Sequence, residues 1–369
     1  MKKTALLVTI LCLMAIVACK SGNENKTLVK GENPKEIILD TEMVNILFPS
    51  VKGELSGGDG AISIQIDKDK NYWLWGDSFI GEVENNTRNP KTSPLIIGNV
   101  WSFVDGKTAK TTYRGTADEP LSMVEIGKVN DYPAFLWPMH GFVKNNIVHI
   151  FMSRIVKTGE GTGDFYWDGS VYYRLNYPDL TIIDSEGIES SVKTNSHYGY
   201  AVFEHDGYYY TYGTSPDGYE APVRIARTKF INDKLQGWEY FDGANWTNSA
   251  EAAKSMQGVD IPVSEQFSVF KHGDKFVLLA QDRFLPEIYS YIADEPEGPW
   301  YNKKKLYDEP EASMQHVFLY NAMAHPQYGD GDKLLVSYCV NAKNIPDLFT
   351  DVSIYRPRFI WVPYSMILN

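Results

Sequence analysis

The chain runs to 369 residues, 43% of them apolar and 22% charged, with a net charge of −12. That length suits two average domains or one large β-rich or α/β domain, and the composition excludes collagen-like, coiled-coil and wholly disordered classes. An acidic chain also lacks the electrostatic footprint that nucleic-acid phosphates require.

At the N-terminus, Met1-Lys2-Lys3 is a basic head, and Thr4 to Val17 is an apolar run. The run falls short of the ~20 residues that a bilayer span needs. Ile16-Val17-Ala18-Cys19 resembles the lipobox of bacterial lipoproteins. Residues 1–18 are therefore expected to be a signal peptide, with Cys19 carrying lipid (palmitate among its acyl groups) and tethering the protein to a membrane. The expected location is outside the cytoplasm, on the outer membrane, facing the periplasm or the cell surface. Residues 19–44 read as lipidated cysteine plus polar tether, and 45–369 as one domain. Of the three cysteines, Cys12 leaves with the signal and Cys19 is lipidated. Cys339, within the apolar run 334–340, is expected to be a buried, inert thiol.

Beyond the tether the chain reads as all-β. Ser249 to Met256 is a possible short helix; elsewhere, short aromatic and β-branched runs are punctuated by Gly, Pro, Asn and Asp. Five times a strand, a tight polar turn and an aromatic-rich strand recur. The strand pairs begin Ala61 to Ile66 with Tyr72 to Ser78, Gly141 to Val143 with Ile147 to Arg154, and Tyr200 to Phe203 with Tyr208 to Ser215. They continue as Phe267 to Phe270 with Phe276 to Asp282, and Ala322 to Pro326 with Leu334 to Tyr338. Four strands plus loops fill the spacing between turns, so the predicted fold is a five-bladed β-propeller, expected as a monomer. A two-sheet sandwich would not need a fivefold repeat.

In a propeller the first strand of each blade lines the axis. Because each hairpin is antiparallel, residues just before strand one gather with those ending strand two, at one mouth of the channel. This groups Asp59 with Asp77, Trp137 and His140 with Arg154, and His197 and Tyr198 with Ser215. It also groups Glu265 with Asp282 and Arg283, and Asn321 and His325 with Asn341. Crowded, desolvated carboxylates of this kind have pKa values driven apart, which acid–base pairs need.

The Gly57-Gly58-Asp59-Gly60-Ala61 start, the Trp75-Gly76-Asp77-Ser78 strand end, Asn321 to Pro326 and Glu295 to Trp300 resemble the five-bladed propeller glycosidases. The similarity is to the lipoprotein families catalogued as domains of unknown function 4185 and 5005, and more distantly to glycoside hydrolase family 43. The first of these includes endo-acting D-arabinanases, grouped as glycoside hydrolase family 183. The resemblance implies a glycoside hydrolase acting on an extracellular or periplasmic polysaccharide, such as the furanose polymer arabinan. By position, Asp59 matches the family-43 base, whereas His140 and His197-Tyr198 stand where the orienting Asp and the acid of that family fall. Either the acid has moved one blade, to Glu265, or the chemistry differs.

On this reading Asp59 or Asp77 serves as base or nucleophile and Glu265 as proton donor, since glycosidic cleavage needs two flanking carboxyls. Asp282 and His140 are expected to tune them. Arg154 and Arg283 are expected to read substrate substituents, with Asn321 and His325 in support, and Trp137, Tyr198 and Trp75 to act as sugar platforms. The alternative is a non-catalytic carbohydrate-binding lipoprotein on the same scaffold. A sialidase would carry Ser-x-Asp-x-Gly-x-x-Trp turns; Ser215-Pro216-Asp217-Gly218 lacks the Trp. No Cys/His cluster has zinc spacing and no Asp run matches a calcium loop. The family-43 resemblance implies an axial calcium near His325; the other reading is a histidine bonded to backbone before Pro326.

Overall fold

Five antiparallel sheets of four or five strands follow one another along the chain, beside two smaller ones, in a computed structural model that describes residues 36–159, 161, 163–329 and 331–369. The signal segment, Cys19 and the tether as far as residue 35 lie outside the described residues. Sheet I runs Ile62–Gln65, Lys70–Trp75, Val100–Asp105 and Thr108–Thr112. Sheet II is built on Tyr132–Lys144, Ile147–Lys157, Phe165–Asn176 and Ile182–Gly187, with Gly127–Val129 added beside the first of them. Sheet III comprises Ala201–His205, Tyr208–Thr214, Val223–Ile231 and Lys234–Phe241, plus the short Trp246–Thr247, and sheet IV comprises Ser268–His272, Lys275–Gln281, Glu287–Ala293 and Tyr301–Asp308. Sheet V orders Val317–His325, Lys333–Ala342 and Arg358–Pro363, and its outer strand is Ile38–Asp40 from the start of the fold.

Each of the five predicted hairpins is present with its polar turn at the tip. Ile62 pairs with Leu74, Gly141 with Ile150, Ala201 with Tyr212, Ser268 with Leu279 and Met323 with Ser337. The turn of sheet II holds Asn145 and Asn146 at φ of 54° and 57°, the left-handed pair that a two-residue hairpin turn demands.

The first strands pack on one another in sequence: sheet I against II, II against III, III against IV, IV against V, and V back against I. Ser63, His140, Val202, Ser268 and Ala324, one from each first strand, line a common cavity of about 450 Å³.

Second-strand aromatics make the core between sheets. Trp73, Trp75, Phe151, Tyr212, Phe276 and Tyr338 are all buried, each removing a large apolar area from water.

Two sequence expectations differ from the structure. Regular structure already begins ahead of the boundary expected at 45, with strand Ile38–Asp40. Ile38 pairs with Trp361 and Asp40 with Phe359, and Asp40 is fixed by the Trp361 indole N–H at 2.6 Å and the Met43 amide at 2.8 Å. The stretch 249–256 makes only a 3-10 turn, Ala250–Ala252; a helix forms instead at Glu189–Thr194. Among the described residues no helix is long and apolar enough to cross a membrane.

Candidate active site

The hairpin geometry gathers the carboxylates in two groups. The first stands on sheet I. Asp59 directly precedes its first strand, and the Gly76 amide closing the second strand donates to the Asp59 carbonyl at 2.9 Å. A Cβ on Gly76 would come within 2.4 Å of Asp59 Oδ1, so only glycine lets the carboxyl lie against this turn. From sheet V the Tyr320 hydroxyl donates to Asp59 Oδ2 at 2.7 Å, and Asn341 supports that hydroxyl at 3.1 Å. The Tyr355 hydroxyl lies 3.2 Å from Asp59 Oδ2 and 3.1 Å from the Asp77 carbonyl. Asp77 Oδ1 accepts from the Trp137 indole at 3.0 Å and from the Gly98 amide at 2.9 Å.

Among the described residues no cation is paired with either aspartate. Burial first, then the charge of Asp77, pushes Asp59 up to about 7, against the opposing pull of the two tyrosine hydroxyls. Burial likewise raises Asp77, partly offset by Trp137 and Gly98. The pair therefore retains a proton into the neutral range.

Glu265 anchors the second group, between sheets III and IV. Its Oε2 lies 3.0 Å from His197 Nδ1 and accepts from Thr214 Oγ1 at 3.2 Å, while Arg283 Nη1 stands 3.4 Å from Oε1. Trp167 stacks on His197 with ring centres 3.8 Å apart, and its indole N–H donates to Ser153. Burial alone would raise Glu265, but the hydrogen bond and charge of His197, then Arg283 and Thr214, hold it below the usual glutamate range. That is the wrong direction for the proton donor expected from sequence. Asn321 fixes the strand start around it: its side-chain oxygen accepts from Ser264 Oγ at 2.7 Å and the Gln266 amide at 3.3 Å, and its amide donates to Gln266 Oε1.

The remaining expected residues divide. Trp137 is half-buried against Asp77 and packs edge-on with Phe135 and Phe165, so it remains a platform candidate. Trp75 and Tyr198 are fully buried and are core. Trp75 bonds Ser102 and stacks on Trp73, and Tyr198 packs on Tyr240. Arg154 is occupied by Asp168 at 2.6 Å, so it does not project free for a substituent. Asp282 caps its own loop by accepting from the Phe284 and Leu285 amides.

His140 faces the axial cavity, where Nδ1 accepts from the Val202 amide at 3.2 Å; burial lowers it to about 4, and it acts on neither carboxyl group. His325 is buried between two serines, Nδ1 to Ser63 Oγ at 2.7 Å and Nε2 to Ser337 Oγ at 2.9 Å, and burial pushes it down to about 3. With both ring nitrogens engaged by hydroxyls, and no group of three metal-binding side chains among the described residues, this setting does not fit a calcium ligand. Nor is it bonded to backbone; the serines take that place.

Sequence reasoning missed Tyr320, Tyr355 and Trp167. Tyr320 stands one residue before Asn321 and was within reach of the same mouth argument; nothing in the repeat marks the other two.

The profile of a family described as Domain of unknown function (DUF5005) matches residues 43–364. No curated protein matches the sequence. Among solved structures, a "putative hydrolase" from Bacteroides ovatus is 17% identical, covering 88% of this chain and 89% of that one with a TM-score of 0.72. An exo-β-1,3-galactanase of Phanerochaete chrysosporium, solved with β-1,3-galactotriose, is 13% identical over 83% of this chain and 60% of its own, with a TM-score of 0.47. A family-43 β-xylosidase/α-arabinofuranosidase from a compost metagenome, solved with xylotriose, is 14% identical over 84% of this chain and 93% of its own, with a TM-score of 0.45. At 17% identity the likeness to the Bacteroides ovatus structure is one of fold.

Proposed function

The chain belongs to the DUF5005 family, and from that premise we propose that it is an extracytoplasmic glycoside hydrolase working at the mouth of a closed five-bladed propeller. Closure is supported by the first-strand contacts that return from sheet V to sheet I, and by the shared axial cavity. The lipobox at Cys19 supports export and a lipid anchor.

One observation carries the catalytic reading: the carboxyl groups at the strand-one starts have opposite surroundings, neutral donors and a second carboxyl around Asp59, an imidazole and a guanidinium around Glu265. The Asp59–Asp77 pair keeps a proton near neutrality, whereas Glu265 is held as an anion by His197 and Arg283. Glycosidic cleavage needs one carboxyl of each kind. We assign Asp59 as the proton carrier to the leaving oxygen and Glu265 as the anion that activates water or meets the positive charge growing at the sugar carbon. This reverses the roles expected from sequence. Trp137, whose indole touches Asp77, offers the sugar face a stacking surface.

The reversal has a signature in pH. Activity should fall as pH rises through about 7, where Asp59 loses its proton, and should be retained down to the acidic range in which Glu265 protonates. The purified chain, Asp59→Asn and Glu265→Gln should be assayed on a panel of furanose- and pyranose-based polysaccharides. Product from the parent alone, with binding kept in both variants, supports hydrolysis. Activity that instead rises through pH 7 would return Asp59 to the role of base.

A second reading has its own support. All of Glu265's contacts come from residues of its own protein, and such a fixed anion suits a binding module that turns nothing over. Glycan retention with no product from any substrate would select it.

A further inference from the structure

Arg88 is 2% exposed, yet among the described residues its guanidinium hydrogen-bonds to no carboxylate. Burying a charge without a counter-ion is costly, so the donors must be matched elsewhere. Nη1 donates to the Leu348 carbonyl at 2.5 Å; Nη2 donates to the Ser56 carbonyl at 2.8 Å and to that of Val352 at 3.3 Å; Nε reaches Ser56 Oγ at 3.4 Å. The planar cation lies 4.8 Å from the centre of the Phe79 ring.

These partners fall on three segments that all lead to the paired aspartates. Ser56 lies in Leu55–Gly58, which runs straight into Asp59; Phe79 lies in Ser78–Ile80, which leaves Asp77; Leu348 and Val352 belong to an arm, 347–355, that ends in Tyr355. The Arg88 amide also donates to the Phe349 carbonyl at 2.8 Å, and Asn86 holds Asp351 and Val352 of the same arm. Gly57 admits the guanidinium, since a Cβ there would stand 2.0 Å from Nη2 and 2.6 Å from the Tyr355 carbonyl.

We propose that Arg88 is a positioning residue for the aspartate pair: its guanidinium locks the 347–355 arm so that the Tyr355 hydroxyl rests against both Asp59 and Asp77. The function proposed above uses this geometry, but the test needs no turnover. Asp59 is faced by Asp77 from its own sheet, Tyr320 and the Cys339 thiol from sheet V, and Tyr355 from the arm. Arg88 is faced by Arg356, Asp351 and Tyr355. A hydroxyl lost from Asp59 removes a group that favours its ionised form, so the titration midpoint moves up.

The measurement is the carboxyl-carbon titration of Asp59 by NMR in the full chain, identified by its disappearance in Asp59→Asn. Tyr355→Phe should raise the midpoint by about one pH unit. Arg88→Lys keeps the charge but loses the fork, and should move the midpoint the same way. The double variant should rise no further than Tyr355→Phe alone, because both changes act through one hydroxyl. An unmoved midpoint in Arg88→Lys, or full additivity in the double variant, overturns the proposal. Should Arg88→Lys not fold, Asn86→Ala cuts one further side-chain tether of the arm, the Asn86 amide to Asp351, while leaving Arg88 in place. Its midpoint should stay; a rise matching Tyr355→Phe would mean that Arg88 does not hold the arm, and would equally overturn the assignment.

Discussion

The two carboxyl groups begin with the same chemistry, a partly buried carboxyl beside a first-strand start, and are driven in opposite directions, Asp59 upward and Glu265 downward. Around Asp59 and Asp77 every partner is neutral: two tyrosine hydroxyls, an indole and backbone amides, with the second carboxylate adding repulsion. Around Glu265 the partners are an imidazole, a guanidinium and a threonine. Neutral donors soften the burial penalty without cancelling it, whereas a cation reverses it. Protonation is thus set by what each neighbouring sheet brings to the seam, and not by the depth of the carboxyl.

The largest effect that should break this contrast comes from a methyl group. Gly76→Ala places a Cβ 2.4 Å from Asp59 Oδ1, so the carboxyl must swing off its turn and away from Tyr320. Misplacing a reacting group by about 1 Å costs on the order of 10²-fold in rate. Thermal melting should be measured alongside; a large drop in melting temperature with kinetics unchanged would refute the close approach as a catalytic constraint.

A smaller change should erase the contrast from the other side. Arg283→Met takes a cation from Glu265, whose midpoint must then rise, because burial raises it and the cation was among the groups holding it down. The acidic limb of the activity profile should move up by about one pH unit, lowering the rate by up to about tenfold only at pH values below both limbs and leaving pH 7 little changed. A limb that stays put would assign the whole depression to His197.

Much of this arrangement was legible in the sequence, for a definite reason. Strand alternation and polar turns fix hairpin register, and register brings Asp59 beside Asp77 and Glu265 beside Arg283. The platforms were misread because both faces of these sheets are buried between neighbours, so period-two alternation does not tell a mouth-facing ring from a core one; Trp75 and Tyr198 fell on the core side. Bulges blurred the inner strands, between Pro138 and Gly141 and between Tyr320 and Met323, where His140 and Asn321 sit. Tyr355 lies in a 3-10 turn outside the repeat and is 296 residues from Asp59 in sequence. The strand Ile38–Asp40 is three residues long and follows a polar stretch, so only its pairing with Arg358–Pro363 reveals it.

Trp137 allows the finest division, because it has two separable contributions on the neutral wall. Its indole N–H favours the charged form of Asp77, while its ring, braced by Phe135 and Phe165, is the proposed sugar platform. Trp137→Phe keeps most of the ring and loses the N–H. Losing that donor should raise Asp77 slightly and move the basic limb upward by a few tenths of a pH unit, with KM within about twofold. Trp137→Ala loses both, and should add an increase in KM of about tenfold, equivalent to one stacking contact. Equal KM values in the two variants would remove Trp137 as a platform while leaving it as a donor to Asp77. The carboxylate contrast would then stand on hydrogen bonding and charge alone, with substrate gripped elsewhere on the rim.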